Sequence, residues 1–534
     1  MIVSISNALL YPLVAFAIGY FIIQMTNKKH QVLLISPQVI RWVIFAIIVL
    51  CLVPVLSLSV YITRTFDAPF WETYSTVIRT YAVGQSWIGI AIIGTVLIVL
   101  TRFKSKAWLS FLLMTCLTFV VGFSSHAASL DQLGGTVANG LHFFSATVWI
   151  GTLFIVAWFT KSDFDFQEFI QWFSPLAVGA VFVITASGFM LMNYIVPEYV
   201  HSWVLTYGQL LLLKHLLFIP LLIFGFVHGF LLKRRMKVYS NERVKKSFKF
   251  ESVVALVVFV ISAFMTEQTP PHEVATTLQF EEPSALFTMI LGMHPQQLLP
   301  LGLQLTLWNG IVGVVSLGLL LLFGYYLHKK TSVVISSLIL CLFVLGGYAT
   351  AMASIESRKD ANITPYASLE EAIAGGYEES YDISILVEKP YQHDTHAVLY
   401  ELDESKLVAE LFKVEDDLYY RVEGTTLTVG GIPVSETDHK IRTFFIRFGD
   451  WKIDGFDYTY VSFGKINEPA NVTSVDIHYE GLSRKEQVEN QGFLSMTASN
   501  EEWSANHPIE FFDDEFNIIG GYMRGFMEEG VYCH

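Results

Sequence analysis

Residues 205–231 read LTYGQLLLLKHLLFIPLLIFGFVHGFL, a run of Leu, Ile and Phe with one formal charge, Lys214. About 20 mostly apolar residues are enough to cross a hydrocarbon core, so this stretch predicts a transmembrane helix. It is the seventh of ten such stretches, at about 6–25, 40–62, 86–101, 107–125, 137–159, 174–196, 205–231, 251–267, 302–327 and 332–354, the third being the shortest. The first has no basic residue ahead of its apolar part and no cleavage-site pattern, and it reads as a retained span rather than a signal peptide. The pattern predicts an all-α polytopic membrane bundle over residues 1–355, followed by a soluble α+β domain over residues 360–534.

Composition agrees with that division. Only 15% of the residues are charged and 53% are hydrophobic, where soluble proteins carry about 25% charged residues. A purely soluble enzyme is excluded. From Glu356 onward lie 35 of the 48 acidic residues but 14 of the 34 basic ones, a net −21 against +7 before it. A tail this acidic excludes nucleic acid as a partner. Alternate loops between the spans carry 17 basic residues, eight of them between Lys233 and Lys249, while the other loops carry only Arg64 and Arg79. The positive-inside rule then places both termini and the acidic domain outside the cytoplasm. The four cysteines form no disulfide framework: Cys51, Cys116 and Cys341 sit in apolar runs, and Cys533 stands beside His534.

This orientation sorts the histidines. His126 ends the fourth span and His142 begins the fifth, so a short outer loop brings two imidazoles towards each other. His201, His272 and His294 fall in outer loops, with Met190, Met192 and Met265 near outer helix ends. Thioether suits Cu(I), and imidazole suits Cu(I), Cu(II) or zinc. The competing reading is plain: interfacial histidines also serve as amphipathic anchors, and methionines fill apolar cores. Lys214 is the charge set deepest in a span, where an ammonium needs a partner. Glu251 opens the eighth span on the cytoplasmic side, as an exit ligand or a salt-bridge partner of the basic stretch before it.

Several short elements recur in a familiar order between about Ser75 and Glu273. Thr80, Gly84 and Trp87 enter the third span, Ser125-His126-Ala127-Ala128 follows the fourth, and Leu141-His142 with Trp149-Ile150-Gly151 lies in the fifth. Ser187-Gly188, Tyr207 through Lys214, Glu251 and Pro270-Pro271 complete the series. This order resembles the CopD family of bacterial copper resistance and import proteins (YcnJ-type), with serine at 125 where the family has glycine. The resemblance implies copper transport, in the uptake direction, across the bacterial cytoplasmic membrane, with copper as cargo and no enzymatic activity. Its metal site would take His126, His142 and Met190, joined by His272 and His294, with Lys214 and Glu251 in supporting roles. Implied partners are copper ions, the lipid membrane and an extracytoplasmic copper chaperone. YcnJ-type chains usually carry a CopC-like domain ahead of the first span, whereas this sequence opens almost directly in a span and carries the unmatched acidic domain instead. Two alternatives are a haem-binding membrane electron carrier and a copper sensor or assembly factor.

In the acidic domain, Asp382–Glu388, His396–Glu401, Leu407–Phe412, Leu418–Val422, Ile441–Phe448 and Val475–Tyr479 read as strands. Ser368 to Ala374, followed by Gly375-Gly376, reads as a short capped helix. Two further metal candidates lie here. His393 and His396 have ligand spacing only on a helix, and Cys533-His534 ends the chain.

Overall fold

The computed structural model describes residues 2–26, 33–66, 68–103, 106–161, 164–228, 241–272, 274–278, 281, 283–291, 301–329, 333–357, 364–377, 380–391, 394–422, 425–429, 433–448, 457–501, 503 and 507–522. The chain divides into two compact units, Met1–His272 with Leu303–Ile355 and Glu273–Gly302 with Glu356–His534.

The first unit is helical. It contains α1 (Ile2–Thr26), α2 (Pro37–Phe66), α3 (Phe70–Thr80), α4 (Ala82–Arg102), α5 (Ala107–Phe123), α6 (His126–Leu130), α7 (Gln132–Phe159), α8 (Phe166–Ile195), α9 (Thr206–Phe226) and α10 (Asn241–Met265). The short helices α11 (Val274–Thr277) and α12 (Ala285–Leu291) lie in the segment assigned to the second unit, and α13 (Leu307–Lys329) and α14 (Val333–Ala353) return to the first. Among the described residues nine of these helices are long and apolar enough to cross a membrane, and α5 is a shorter apolar tenth. All ten fall where hydropathy places them. The short one is the fourth rather than the third, because α4 starts at Ala82 and runs 21 residues while α5 has 17. Hydropathy does not reveal α3, whose 11 residues mix aromatic and polar types and leave Trp71 76% exposed.

The most enclosed helix is α7, buried on nearly every side from Ser145 to Ala157. It packs against α1, α5, α8 and α10. Contact with α1 is at backbone distance: a Cβ on Gly151 would stand 1.9 Å from the Ala15 carbonyl oxygen, and one on Gly19 would stand 2.2 Å from Gly151. Small residues allow helices in lipid to approach this closely, and van der Waals contact then holds them.

The second unit is a stack of antiparallel sheets. Two three-residue strands, β1 (Leu301–Leu303) and β2 (Ile355–Ser357), precede it in the chain. One sheet has β3 (Ile383–Pro390), β4 (Thr395–Leu402), β5 (Lys406–Glu415) and β6 (Leu418–Arg421) in order, with β7 (Leu427–Val429) also on β5. A second has β12 (Gly492–Ser499), β9 (Asp457–Ile466) and β8 (His439–Phe448). A third has β11 (Leu482–Gln487), β10 (Ser474–Tyr479), β13 (Ile509–Phe512) and β14 (Ile518–Tyr522). Side chains alternate across a strand, and the cores follow that period. Leu399, Leu407, Val461, Phe463 and Leu494 fill the space between the first two sheets. Tyr458, Tyr460 and Phe493 turn the other way, onto Val475, Ile477, Ile509 and Phe511 of the third. Helix α15 (Leu369–Ala374) covers the outer face of the first sheet through Leu369 and Ile373 on Val398, Tyr400 and Phe412. Its Ser368 accepts from the Glu371 amide, the cap read from the sequence.

Candidate metal site

His142 lies on α7 and faces α8. Its Nδ1 is 3.1 Å from the Ile184 carbonyl and 3.2 Å from the Ser187 hydroxyl. A carbonyl can only accept, so Nδ1 carries the hydrogen and the neutral ring keeps its lone pair on Nε2. Ser187 donates its own hydrogen to the Val183 carbonyl at 2.6 Å, which turns its lone pairs towards the imidazole. Gly188 leaves room for the ring: a Cβ there would stand 3.5 Å from Cε1 and 3.6 Å from Nδ1, so a methyl would just touch and a larger group would push. Lys214 and His215 of α9 complete the surroundings, both within electrostatic range of His142. His215 is itself held by the Tyr199 hydroxyl, 2.8 Å from its Nδ1.

Two more histidines at this end of the bundle are held in the same way. Ser125 caps the short helix α6 by accepting from the Ala128 amide at 3.3 Å, and this sets His126 at the helix start. Its Nε2 donates to the Thr266 carbonyl, just beyond α10, at 3.0 Å. His272 donates from Nδ1 to the Tyr194 carbonyl at 3.0 Å. An N–H fixed on an acceptor is how metal-binding imidazoles are usually oriented. Polar groups link these positions. Tyr11 and Thr266 share a hydroxyl contact of 3.4 Å, Asn7 donates to Glu267 at 3.2 Å, and Tyr194 donates to Asp131 at 3.0 Å. Asp131 also accepts from the Gly134 amide at 2.9 Å and so caps α7. That amide and the Tyr194 hydroxyl hold its carboxyl below the usual range.

His126 and His142 thus address different helices, the end of α10 and the middle of α8. Among the described residues no three His, Cys, Asp or Glu side chains converge as a ready metal cage. Met190 is 43% exposed on α8. His294, His393, Cys533 and His534 lie outside the described residues. His396 lies in β4, not on a helix, and its Nδ1 is 2.7 Å from Glu388 on β3. Among the described residues Glu251 meets no metal cluster and pairs with a histidine: its Oε2 is 2.7 Å from Nδ1 of His228, while Lys233, Arg234, Arg235 and Lys237 of the basic stretch lie outside the described residues. Sequence reading missed that pairing, as it missed Tyr11, Tyr194 and Glu267. Their only signal was being polar near a span end.

Residues 167–265, which carry the Ile184 carbonyl, Ser187, Gly188, Lys214, His228 and Glu251, match the family model CopD, described as copper resistance protein D. This segment belongs to the CopD family. Over 160 residues the chain is also 29% identical to copper transport protein CutJ of Bacillus subtilis (strain 168), which is 29% of this chain and 29% of that protein. The alignment therefore spans less than a third of the relative's length. No solved structure matches. The CopD segment supplies the wall that His142 leans on, and α7 supplies the histidine.

Proposed function

We propose that this protein is a copper transporter of the bacterial cytoplasmic membrane, working in the uptake direction from an outer site built on His142 and His126. One observation carries the reading: His142 fixes its Nδ1–H on Ile184 and Ser187 of the CopD segment and leaves Nε2 as a lone-pair donor. His126 and His272 are oriented by carbonyls in the same manner. Met190 and His294 are further ligands on this reading, and His393, His396, Cys533 and His534 are candidates for capture in the acidic domain. A net charge of −21 from Glu356 onward draws cations to the acidic domain, and an extracytoplasmic chaperone delivers copper to the outer site. Both termini lie outside the cytoplasm. The basic-residue asymmetry that supports this orientation leaves the ends of α10 and α8 nearest His126 and His272 on the outer side.

The test is cellular copper at matched membrane protein levels. His142→Ala and His126→Ala each remove most protein-dependent accumulation, and the double variant is little worse than either, because residues acting as one unit are strongly non-additive. Wild-type accumulation in both single variants removes the site.

A further inference from the structure

Beyond Lys214, and about 20 Å along the same run of helix at 1.5 Å per residue, a second buried cluster stands apart from the outer histidines. His228 places Nδ1 2.7 Å from Glu251 and Nε2 2.7 Å from the Ser247 hydroxyl. The imidazole is 6% exposed and the carboxylate 2%. Phe224 and Phe248 close over the imidazole, with ring centroids at 5.9 and 4.7 Å.

A carboxylate this deep normally has a permanent cation beside it. The cations on this helix are engaged elsewhere. Lys245 donates to the Thr160 carbonyl at 2.7 Å, Lys249 lies 4.5 Å over the Trp158 ring, and Arg243 donates to the His328 carbonyl at 2.9 Å. Lys246 pairs with Glu242 at 2.9 Å. The other charged or titratable groups on elements packed around the pair, among the described residues, include Lys161 after α7, Asp165 and Glu168 at the start of α8, Tyr20 on α1, and Tyr325, Tyr326 and His328 on α13. Asp165 is occupied in capping α8 through the Gln167 and Glu168 amides. Among the described residues Glu251 is therefore matched to an imidazole, which can give up a proton, and not to a permanent cation. With one shared proton the pair is neutral, and without it the pair carries −1. An arriving cation and that proton would neutralise the same carboxylate, so each excludes the other.

We propose that His228 and Glu251 form a proton-exchange site that makes copper movement an exchange with protons. The proton shared by Nδ1 and the carboxylate passes to water as the cation arrives, and a proton from water replaces it when the cation leaves. The proposal rests on the copper-transport reading.

The full-length protein in liposomes tests it, with Cu(I) held reduced by ascorbate outside, a pH dye entrapped, and the lumen set more acidic than the bath. One proton exchanged per Cu(I) gives about tenfold more lumenal copper at equilibrium per pH unit, and the lumen turns alkaline as copper enters. Protein-free vesicles show neither signal. Glu251→Gln and His228→Gln abolish the response to the gradient. Ser247→Ala keeps the buried pair and slows the proton signal without changing the protons moved per copper, and it serves where the other two variants fail to fold. Wild-type copper entry that ignores the gradient overturns the exchange and leaves the transport reading standing. Absence of copper entry at any gradient overturns both. A full gradient response in Glu251→Gln and His228→Gln overturns the assignment to this pair.

Discussion

At one end of the helical unit, His142 turns its Nδ1–H onto the Ile184 carbonyl, and His126 and His272 also meet main-chain carbonyls. At the other, His228 has a carboxylate on one nitrogen and a hydroxyl on the second. A carbonyl fixes the tautomer and orientation of a neutral ring and leaves the other nitrogen basic. A carboxylate makes the ring one half of a charge pair, and the second hydrogen bond leaves no nitrogen for a metal. On the proposed reading the same residue type serves ligation in one place and holds a proton in the other. Those two preparations differ in what their loss should cost.

The largest effect on folding is expected at the charge pair. Glu251→Ala leaves a buried imidazole without its partner, and breaking a buried pair from one side costs about 3–5 kcal/mol. Thermal melting of the purified protein in detergent reads this as a marked drop in Tm. A wild-type Tm would mean that the pair is not closed off from water. His142→Ala, by contrast, removes one hydrogen bond to a carbonyl, worth about 1 kcal/mol, so its Tm should move little even where copper accumulation is lost. A large drop in Tm there would make His142 a structural residue and erase the contrast.

A smaller effect is expected at Ser187→Ala, which keeps the Ile184 carbonyl and takes away only the hydroxyl. Loss of such a supporting partner costs about 10–100-fold in metal affinity, and with one of two supports retained the low end applies. Copper titration of the purified protein against a competing chelator checks it. An unchanged affinity would assign the orientation of His142 to the carbonyl alone.

The smallest effect sets a third histidine beside these two kinds. In the second unit His507 is 4% exposed and packs against Tyr479 at 4.5 Å, and its Nε2 has no hydrogen-bond partner among the described residues. Burial pushes its imidazole below the ordinary 6.5. The folded state therefore favours the neutral ring. Its contribution to stability is complete above about pH 6.5 and is lost as the pH falls below that value, at under about 1.4 kcal/mol per pH unit. Trp503 stacks on Tyr479 at 5.3 Å and reports the loss by fluorescence in the full-length protein. His507→Leu should flatten the acid limb, and a limb that survives the change belongs to another group.

What was legible in the sequence follows from how many faces of an element are buried. The spans stand out because lipid and neighbouring helices are both apolar, so every side of α2 or α9 reads alike. In the second unit, β4 and β5 were visible as strands, but β9 and β12 were not. Both faces of their sheet are covered, and the buried positions include Ser462, Ser495 and Thr497, so no clean alternation remains. Strand β11 is polar at every position but Leu482 and largely exposed, so no apolar alternation marks it. At the candidate site, His126 and His142 could be picked out as residues, but the carbonyls of Thr266 and Ile184 that aim them have no side-chain signature. The pairing of His228 with Glu251 spans a basic stretch that charge counting favours as the partner of the carboxylate.

The backbone contact between Gly19 and Gly151 has a mechanical consequence. With no space for a methyl group between them, α1 and α7 cannot slide or roll on each other without parting altogether. They behave as one beam, and His142 is mounted on it. On the proposed transport reading, movement at that histidine would then fall to α8, whose Ile184 carbonyl and Ser187 hydroxyl hold the ring, rather than to the beam. A bulky residue at 151 would force the two helices apart and displace His142 from α8 without changing any of the histidines.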